Sequence, residues 1–256
     1  MADASVRGRI LWYELMTTDM DAAERFYTAV VGWTTTVMSE PPNPYKMWMR
    51  SENTPVGGLM PIPDGMSFPP HWGMYVGVSR LEAAVAQVET LGGSAISPLI
   101  DVPGIGRMRT MADPQGAAFS LYEPATPPHP EAQPELRDVS WNELMTTDAA
   151  AGLKFYAEMF GWKERNAVNM GPMGMYYVWG RDWDMGGMMN KPPELAQVPP
   201  HWGFYFRVDD VHKGAERVKQ NGGQVTNGPM EVPGGTWIVN CMDPQGAHFS
   251  LHHLKS

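Results

Sequence analysis

Two acids carry the chemical interest of this chain. Glu14 stands in WYELMTTD (12–19) and Glu143 in the near-identical WNELMTTD (141–148). Each is set among Trp, Leu and Met, where an ionised carboxylate is costly unless it is paired. Such a group keeps its proton or finds a partner. His71 and His201 each follow a Pro-Pro pair at the head of a strand-like run, PPHWGMYVGV and PPHWGFYFRV, and are candidate partners. Arg207 is another in the second half. A Glu–His pair can serve as general acid and base, or can hold an amide or hydroxyl of a ligand. The plain alternative is a structural Glu accepting hydrogen bonds from backbone or Tyr groups, with histidines that cap or fill.

The elements that position these groups follow from period-2 alternation. Trp12, Glu14 and Met16 share one face of a strand, and Leu11, Tyr13 and Leu15 share the other, which packs under helices. The same count groups His71, Gly73 and Tyr75 against Trp72 and Met74, and groups Ala118, Ser120 and Tyr122 on the last strand. In the second half it gives Trp141, Glu143, Met145, His201, Gly203, Tyr205, Arg207, His248, Ser250 and His252, a set richer in nitrogen bases.

The opening phrase is one part of a duplication of about 120 residues. FYTAVVGW (26–33) is answered by FYAEMFGW (155–162), LGG (91–93) by NGG (221–223), VPG (102–104) by VPG (232–234), and ADPQGAAFSL (112–121) by MDPQGAHFSL (242–251). Residues 123–136, with five prolines and no apolar period, read as an extended linker between a domain at 1–122 and a domain at 137–256. Each copy parses as β-α-β-β-β, twice. The strand Ile10 to Met16 leads through Thr18 or Asp19 as cap into the helix DAAERFYTAVV, which ends at Gly32. Strands follow near 33–38, 45–50 and 56–61, and then HWGMYVGV. Ser79 and Glu82 form a candidate capping box for a helix stopped by Gly92–Gly93. Strands near 94–100, 107–112 and 117–122 close the unit, with DPQG as a turn. Asp148 and Asp209 or Asp210 open the helices of the second copy. Single helices between strands and meanders predict an α+β fold.

A formal charge of −9 argues against a general binder of nucleic acid or anionic membranes. The start MADASVRGRI has no secretory apolar region, and no run is long enough to span a membrane, so a cytoplasmic protein is expected. Cys241 is the one cysteine and reads as buried bulk. Most of the 21 methionines read as core filling. Asp19 and Asp148 read as caps, Asp113 and Asp243 as turn residues, and the closing HHLKS as an exposed polar tail. Gly57–Gly58 and Gly186–Gly187 read as close-approach strand positions. P-loop, dinucleotide, GxSxG and HExxH motifs are missing from the sequence.

FY-x4-GW after the first helix, a His opening the fifth strand, LGG after the second helix and DPQGAxFSL at the end together resemble the vicinal oxygen chelate superfamily. That family includes glyoxalase I, extradiol dioxygenases and bleomycin- and fosfomycin-resistance proteins. The resemblance covers roughly 8–122 and 137–252. It implies two βαβββ modules per domain around a cleft, with metal ligands drawn from strands of each module. Carried over, those positions fall on Trp12 and Trp141, on Gly58 and Gly187, on Gly73 and Gly203, and on Ser120 and Ser250. Trp, Gly and Ser do not suit Zn, Ni, Mn or Fe, so no metal cofactor is expected.

Three functions follow. The first is a small-molecule binding protein with a metal-free aromatic cleft, lined by Trp12, Tyr75, Ser120, Tyr122, Trp141, Tyr205, Arg207, His248 and Ser250. The second is a glyoxalase-like lyase, hydroxylase or dioxygenase-type enzyme using Glu14 and Glu143 as base, His71 and His201 beside them, and a non-standard divalent metal. The third is an interaction protein with decayed clefts. A monomer or homodimer is expected.

Overall fold

The computed structural model describes residues 6–253. The first copy runs β1 (Ile10–Thr17), α1 (Met20–Val30), β2 (Thr34–Ser39), β3 (Tyr45–Ser51), β4 (Thr54–Pro61), β5 (His71–Gly77), α2 (Leu81–Thr90), β6 (Ser94–Ala95), β7 (Ile100–Val102), β8 (Gly106–Ala112) and β9 (Ala118–Pro124). The second runs β10 (Val139–Thr146), α3 (Ala149–Phe160), β11 (Lys163–Asn169), β12 (Met175–Gly180), β13 (Asp184–Asn190), β14 (His201–Arg207), α4 (Val211–Gln220), β15 (Gln224–Val232), β16 (Thr236–Met242) and β17 (His248–His253). Strand order is β2-β3-β4-β1-β5-β9-β8-β6 in one sheet, with β7 on β8, and β11-β12-β13-β10-β14-β17-β16-β15 in the other. Within each module the first and last strands are parallel neighbours, as β1 is to β4 and β5 to β9. This is the α+β fold of two tandem domains.

Acidic caps start three of the four α-helices among the described residues. Asp19 accepts from the Ala22 amide at 2.9 Å, Asp148 from Ala151 at 3.0 Å, and Asp210 from His212 and Lys213. The expected Ser79–Glu82 box does not cap α2. Its N-cap is Arg80, and the Leu81 amide donates instead to Glu123 on β9 at 2.7 Å. The strand expected at 94–100 is divided into β6 and β7, because Pro98 between them has no amide to give a ladder. The second copy has Gly228 at the matching place and Pro229 one residue later; its strand β15 runs on through to Val232, with its register on β16 shifting between Asn227 and Met230.

The chain packs as two compact units, and neither coincides with one copy. One takes the chain up to Leu11, Gly73–Gln133 and Asn142–Trp202; the other takes Trp12–Trp72, Pro134–Trp141 and the chain from Gly203 on. Each is built on one aromatic nucleus. In the unit with α1 and α4, Tyr27 is fully buried among Phe26, Trp33, Trp48, Trp72, Phe206 and Phe249. Its hydroxyl accepts from Trp72 Nε1 at 2.9 Å and donates to Asp243 Oδ2 at 3.1 Å. In the unit with α2 and α3, Tyr156 does the same, accepting from Trp202 Nε1 at 3.0 Å and donating to Asp113 Oδ2 at 3.1 Å. Asp113 and Asp243 do hold their turns, each Oδ1 accepting two amides. Each also fastens a tyrosine from the opposite copy.

The linker forms no helix and no strand after Pro124, and it is tied down at several points. Glu131 pairs with Arg181 at 2.8 Å and Glu135 with Arg50 at 2.8 Å, and just past the linker the Arg137 carbonyl accepts from Trp33 Nε1 at 2.7 Å. No helix among the described residues is long and apolar enough to cross a membrane. The expected exposed tail is partly wrong: His252 is buried in β17, while 254–256 lie outside the described residues.

Candidate functional site

Strand parity puts the acid and the core on opposite faces. Tyr13 meets Phe204 edge-on at 5.5 Å and Leu15 is fully buried, while Trp12 and Glu14 point the other way to a shared partner, Tyr45. On β9 Phe119 joins the aromatic nucleus, and Ser120 turns away to share a 3.0 Å hydrogen bond with Thr110.

β1 and β4 are in register with Glu14 beside Gly58. β3, antiparallel to β4, brings Tyr45 over that glycine. Tyr45 accepts from Trp12 Nε1 at 2.9 Å and donates to Glu14 Oε2 at 3.2 Å. A Cβ at Gly58 would fall 1.9 Å from the Tyr45 oxygen and 2.1 Å from Glu14 Oε1, so a side chain there would break the group apart. Glu14 is only 4% exposed, and its Oε1 is buried without a hydrogen-bond partner. Burial, offset in part by the Tyr45 bond, raises its pKa to about 8. The carboxyl is therefore mainly protonated at neutral pH.

The second copy repeats the core of this arrangement in the other unit. Glu143 is buried beside Gly187, and the Tyr176 hydroxyl donates to its Oε2 at 3.2 Å. A Cβ at Gly187 would lie 2.0 Å from the Tyr176 oxygen. Neither tyrosine stood out in the sequence. The signal available was a shared Tyr-x-x-Trp, Tyr45–Trp48 and Tyr176–Trp179, in the third strand of each copy.

The anticipated Glu14–His71 pair does not form. His71 Nδ1 donates to the Pro69 carbonyl at 2.9 Å and its ring meets Phe68 edge-on; His201 Nδ1 donates to the Pro199 carbonyl at 2.9 Å. The Pro-Pro-His turn satisfies its own imidazole. Tyr75 packs edge-on against Tyr122, whose hydroxyl donates to the Ile105 carbonyl at 2.9 Å. Trp12 and Trp141 are half-buried, and His248 is exposed at the start of β17.

A different polar cluster forms in the unit with α1 and α4. β14 and β17 are in register, Tyr205 with Ser250 and Arg207 with His252. His252 Nδ1 and Ser140 Oγ share a 2.7 Å hydrogen bond, and Ser140 also reaches the Tyr205 carbonyl at 3.3 Å. Arg207 donates to the Pro134 carbonyl at 2.8 Å. Burial, with the nearby charges of Arg207 and His253, lowers the His252 pKa to about 4, so the ring is neutral. Cys241 is buried and its thiol is pushed up to about 12, which removes it as a nucleophile at neutral pH.

The metal positions implied by the fold hold Trp12, Trp141, Gly58, Gly187, Gly73, Gly203, Ser120 and Ser250. Among the described residues no three His, Cys, Asp or Glu side chains gather as an ion would require. The donor set does not fit the divalent metal of such sites.

Two sheets of this topology, built from duplicated βαβββ modules, define a class, and sequence comparison agrees. Residues 138–251 match the Glyoxalase/Bleomycin resistance protein/Dioxygenase superfamily and residues 12–122 match the Glyoxalase-like domain. The chain belongs to this vicinal oxygen chelate superfamily as a member with two tandem domains. It is 32% identical to "Putative glyoxylase CFP32" of Mycobacterium tuberculosis, over 94% of this chain and 92% of that protein. It is 30% identical to the anthracycline biosynthesis protein DnrV of Streptomyces peucetius, over 97% of this chain and 94% of that one. Among solved structures, the Mn(II)-bound glyoxalase from Novosphingobium aromaticivorans superposes with a TM-score of 0.66 at 17% identity, covering 97% of this chain and 83% of that one. The 2,3-dioxygenase LapB from Pseudomonas sp. KL28 gives 0.68 at 15%, covering 98% and 94%. At these identities the structural likeness speaks for the fold alone.

Proposed function

We propose that this protein binds a small, partly aromatic, oxygenated molecule without a metal ion, using the faces that carry Trp12, Tyr45 and Glu14 in one copy and Trp141, Tyr176 and Glu143 in the other. The observation that carries the reading is the Trp12–Tyr45–Glu14 chain of hydrogen bonds, whose Tyr–Glu part recurs in the second copy at the same length. An indole offers a flat apolar wall, and a buried carboxyl offers one directional polar contact. Binding sites for small molecules are built from that mixture. The relative named for anthracycline biosynthesis is compatible with such a ligand.

A glyoxylase-like enzyme is the second reading, favoured by the relative that carries that name. A carboxyl with a pKa of about 8 is a poor general base at neutral pH, since most of it is protonated. Two measurements separate the readings. Tryptophan fluorescence titrated with a panel of aromatic ketones, quinones and phenols should show saturable quenching, weakened by Trp12→Leu. Silence across the panel would remove the binding reading. Elemental analysis of protein purified without added metal should show no stoichiometric Zn, Ni, Mn or Fe, and a full equivalent lost on Glu14→Ala or Glu143→Ala would favour the enzyme.

A further inference from the structure

The hydrogen-bond chain at Glu14 has a direction, and the direction says what the ligand must offer. Indole Nε1 is a donor and nothing else. Trp12 therefore occupies an acceptor site of the Tyr45 hydroxyl at 2.9 Å, and the single Tyr45 proton points onward to Glu14 Oε2 at 3.2 Å. With Oε2 accepting, the proton of a neutral carboxyl resides on Oε1. That atom is the one buried without a partner, beside the bare backbone of Gly58. A buried O–H without an acceptor is unfavourable, and an acceptor oxygen placed there recovers the loss.

We propose that Glu14 works as a neutral carboxylic acid which donates its Oε1 proton to an acceptor oxygen of the ligand, so that the site selects molecules bearing a carbonyl over molecules of the same shape without one. This rests on the binding reading above and deepens it by naming the ligand's polar group. A catechol or phenol hydroxyl can also accept, but its own proton then needs a second partner, so it fits the arrangement less well than a ketone or quinone oxygen. The second copy has the same Tyr–Glu bond, so Glu143 is replaced by Leu throughout the test to leave a single site.

The probes are 9-fluorenone and fluorene, which share a skeleton and differ in the carbonyl. At pH 7, fluorescence quenching should give 9-fluorenone about tenfold tighter binding than fluorene. Glu14→Gln should keep that preference, because the amide N–H2 replaces the carboxyl O–H while its oxygen still accepts from Tyr45. Glu14→Leu should abolish it. The infrared difference between the parent and Glu14→Gln should contain a protonated-carboxyl band at pH 7. Equal binding of both probes, a preference that survives Glu14→Leu, or a carboxylate band in place of the acid band would overturn the donor and leave the binding reading standing. If neither probe binds, both fall.

Discussion

A carboxyl that is neutral in the folded protein and ionised in the unfolded chain makes stability fall as pH rises. Glu14 is such a group, with a folded pKa of about 8 against an ordinary value of 4.5. Between those pH values the folded state binds the extra proton, so its contribution drops by up to about 1.4 kcal/mol per pH unit and levels off above pH 8. Glu14→Gln should remove this slope and be the more stable protein at pH 8, as measured by urea unfolding across pH 5 to 9. An unchanged slope would mean that the carboxylate is already ionised in place. His252 acts in the opposite sense. Its folded pKa of about 4 lies below the ordinary 6.5, so its contribution is whole above pH 6.5 and is lost as pH falls toward 4. His252→Gln, which can still meet Ser140, should flatten the acid limb of the same curves and leave the alkaline limb alone. A steep acid limb in that variant would assign acid lability to other groups.

Strand register explains why two glycines, each inside a strand, should respond differently to a methyl group. Gly58 stands between Tyr45 and Glu14, where a Cβ would meet oxygens at 1.9 and 2.1 Å; at Gly73 on β5 a Cβ meets nothing within 4 Å. Gly58→Ala should therefore cost roughly 1–3 kcal/mol through forced repacking, and Gly73→Ala should stay within about 0.5 kcal/mol. Urea midpoints at unchanged slope decide it, and equal midpoints would contradict the register of β1 on β4. The sequence carried much of this. Alternation in ILWYELMT placed Glu14 opposite Leu15, and Asp19, Asp148 and the pair Asp209–Asp210, of which Asp210 is the cap, announced their helices because capping is local chemistry. Tyr45 stayed hidden because period 2 tells which residues share a face but not which strands are neighbours. Glu123, which took the place of the Ser79–Glu82 box, was hidden for the same reason: it reaches the Leu81 amide from 42 residues away. The His71 pairing was misread because the Pro69 carbonyl, two residues back, satisfies the ring before any acid can.

The repeated phrases acquire their meaning only for the chain as a whole. FY, HW and DPQG sit in both copies, and nothing in their spelling says whether a copy uses its own set. The packing mixes them: Tyr27 and Trp72 of the first copy close on Asp243 of the second, and Tyr156 and Trp202 of the second close on Asp113 of the first. Each compact unit thus draws one βαβββ module from each copy. A single copy cut at the linker would leave both halves of its aromatic surface, and a buried-type Asp and Tyr, facing water. The hydrophobic effect then favours association or unfolding over a folded monomer. Residues 1–122 and 137–256 made separately should each self-associate or lose tertiary structure, and mixing them should restore a one-to-one complex with the near-ultraviolet signal of the buried tryptophans. Sedimentation and circular dichroism read both outcomes. A stable, folded monomer from either half would show that the modules close within one copy, contrary to the Tyr27–Asp243 and Tyr156–Asp113 bonds.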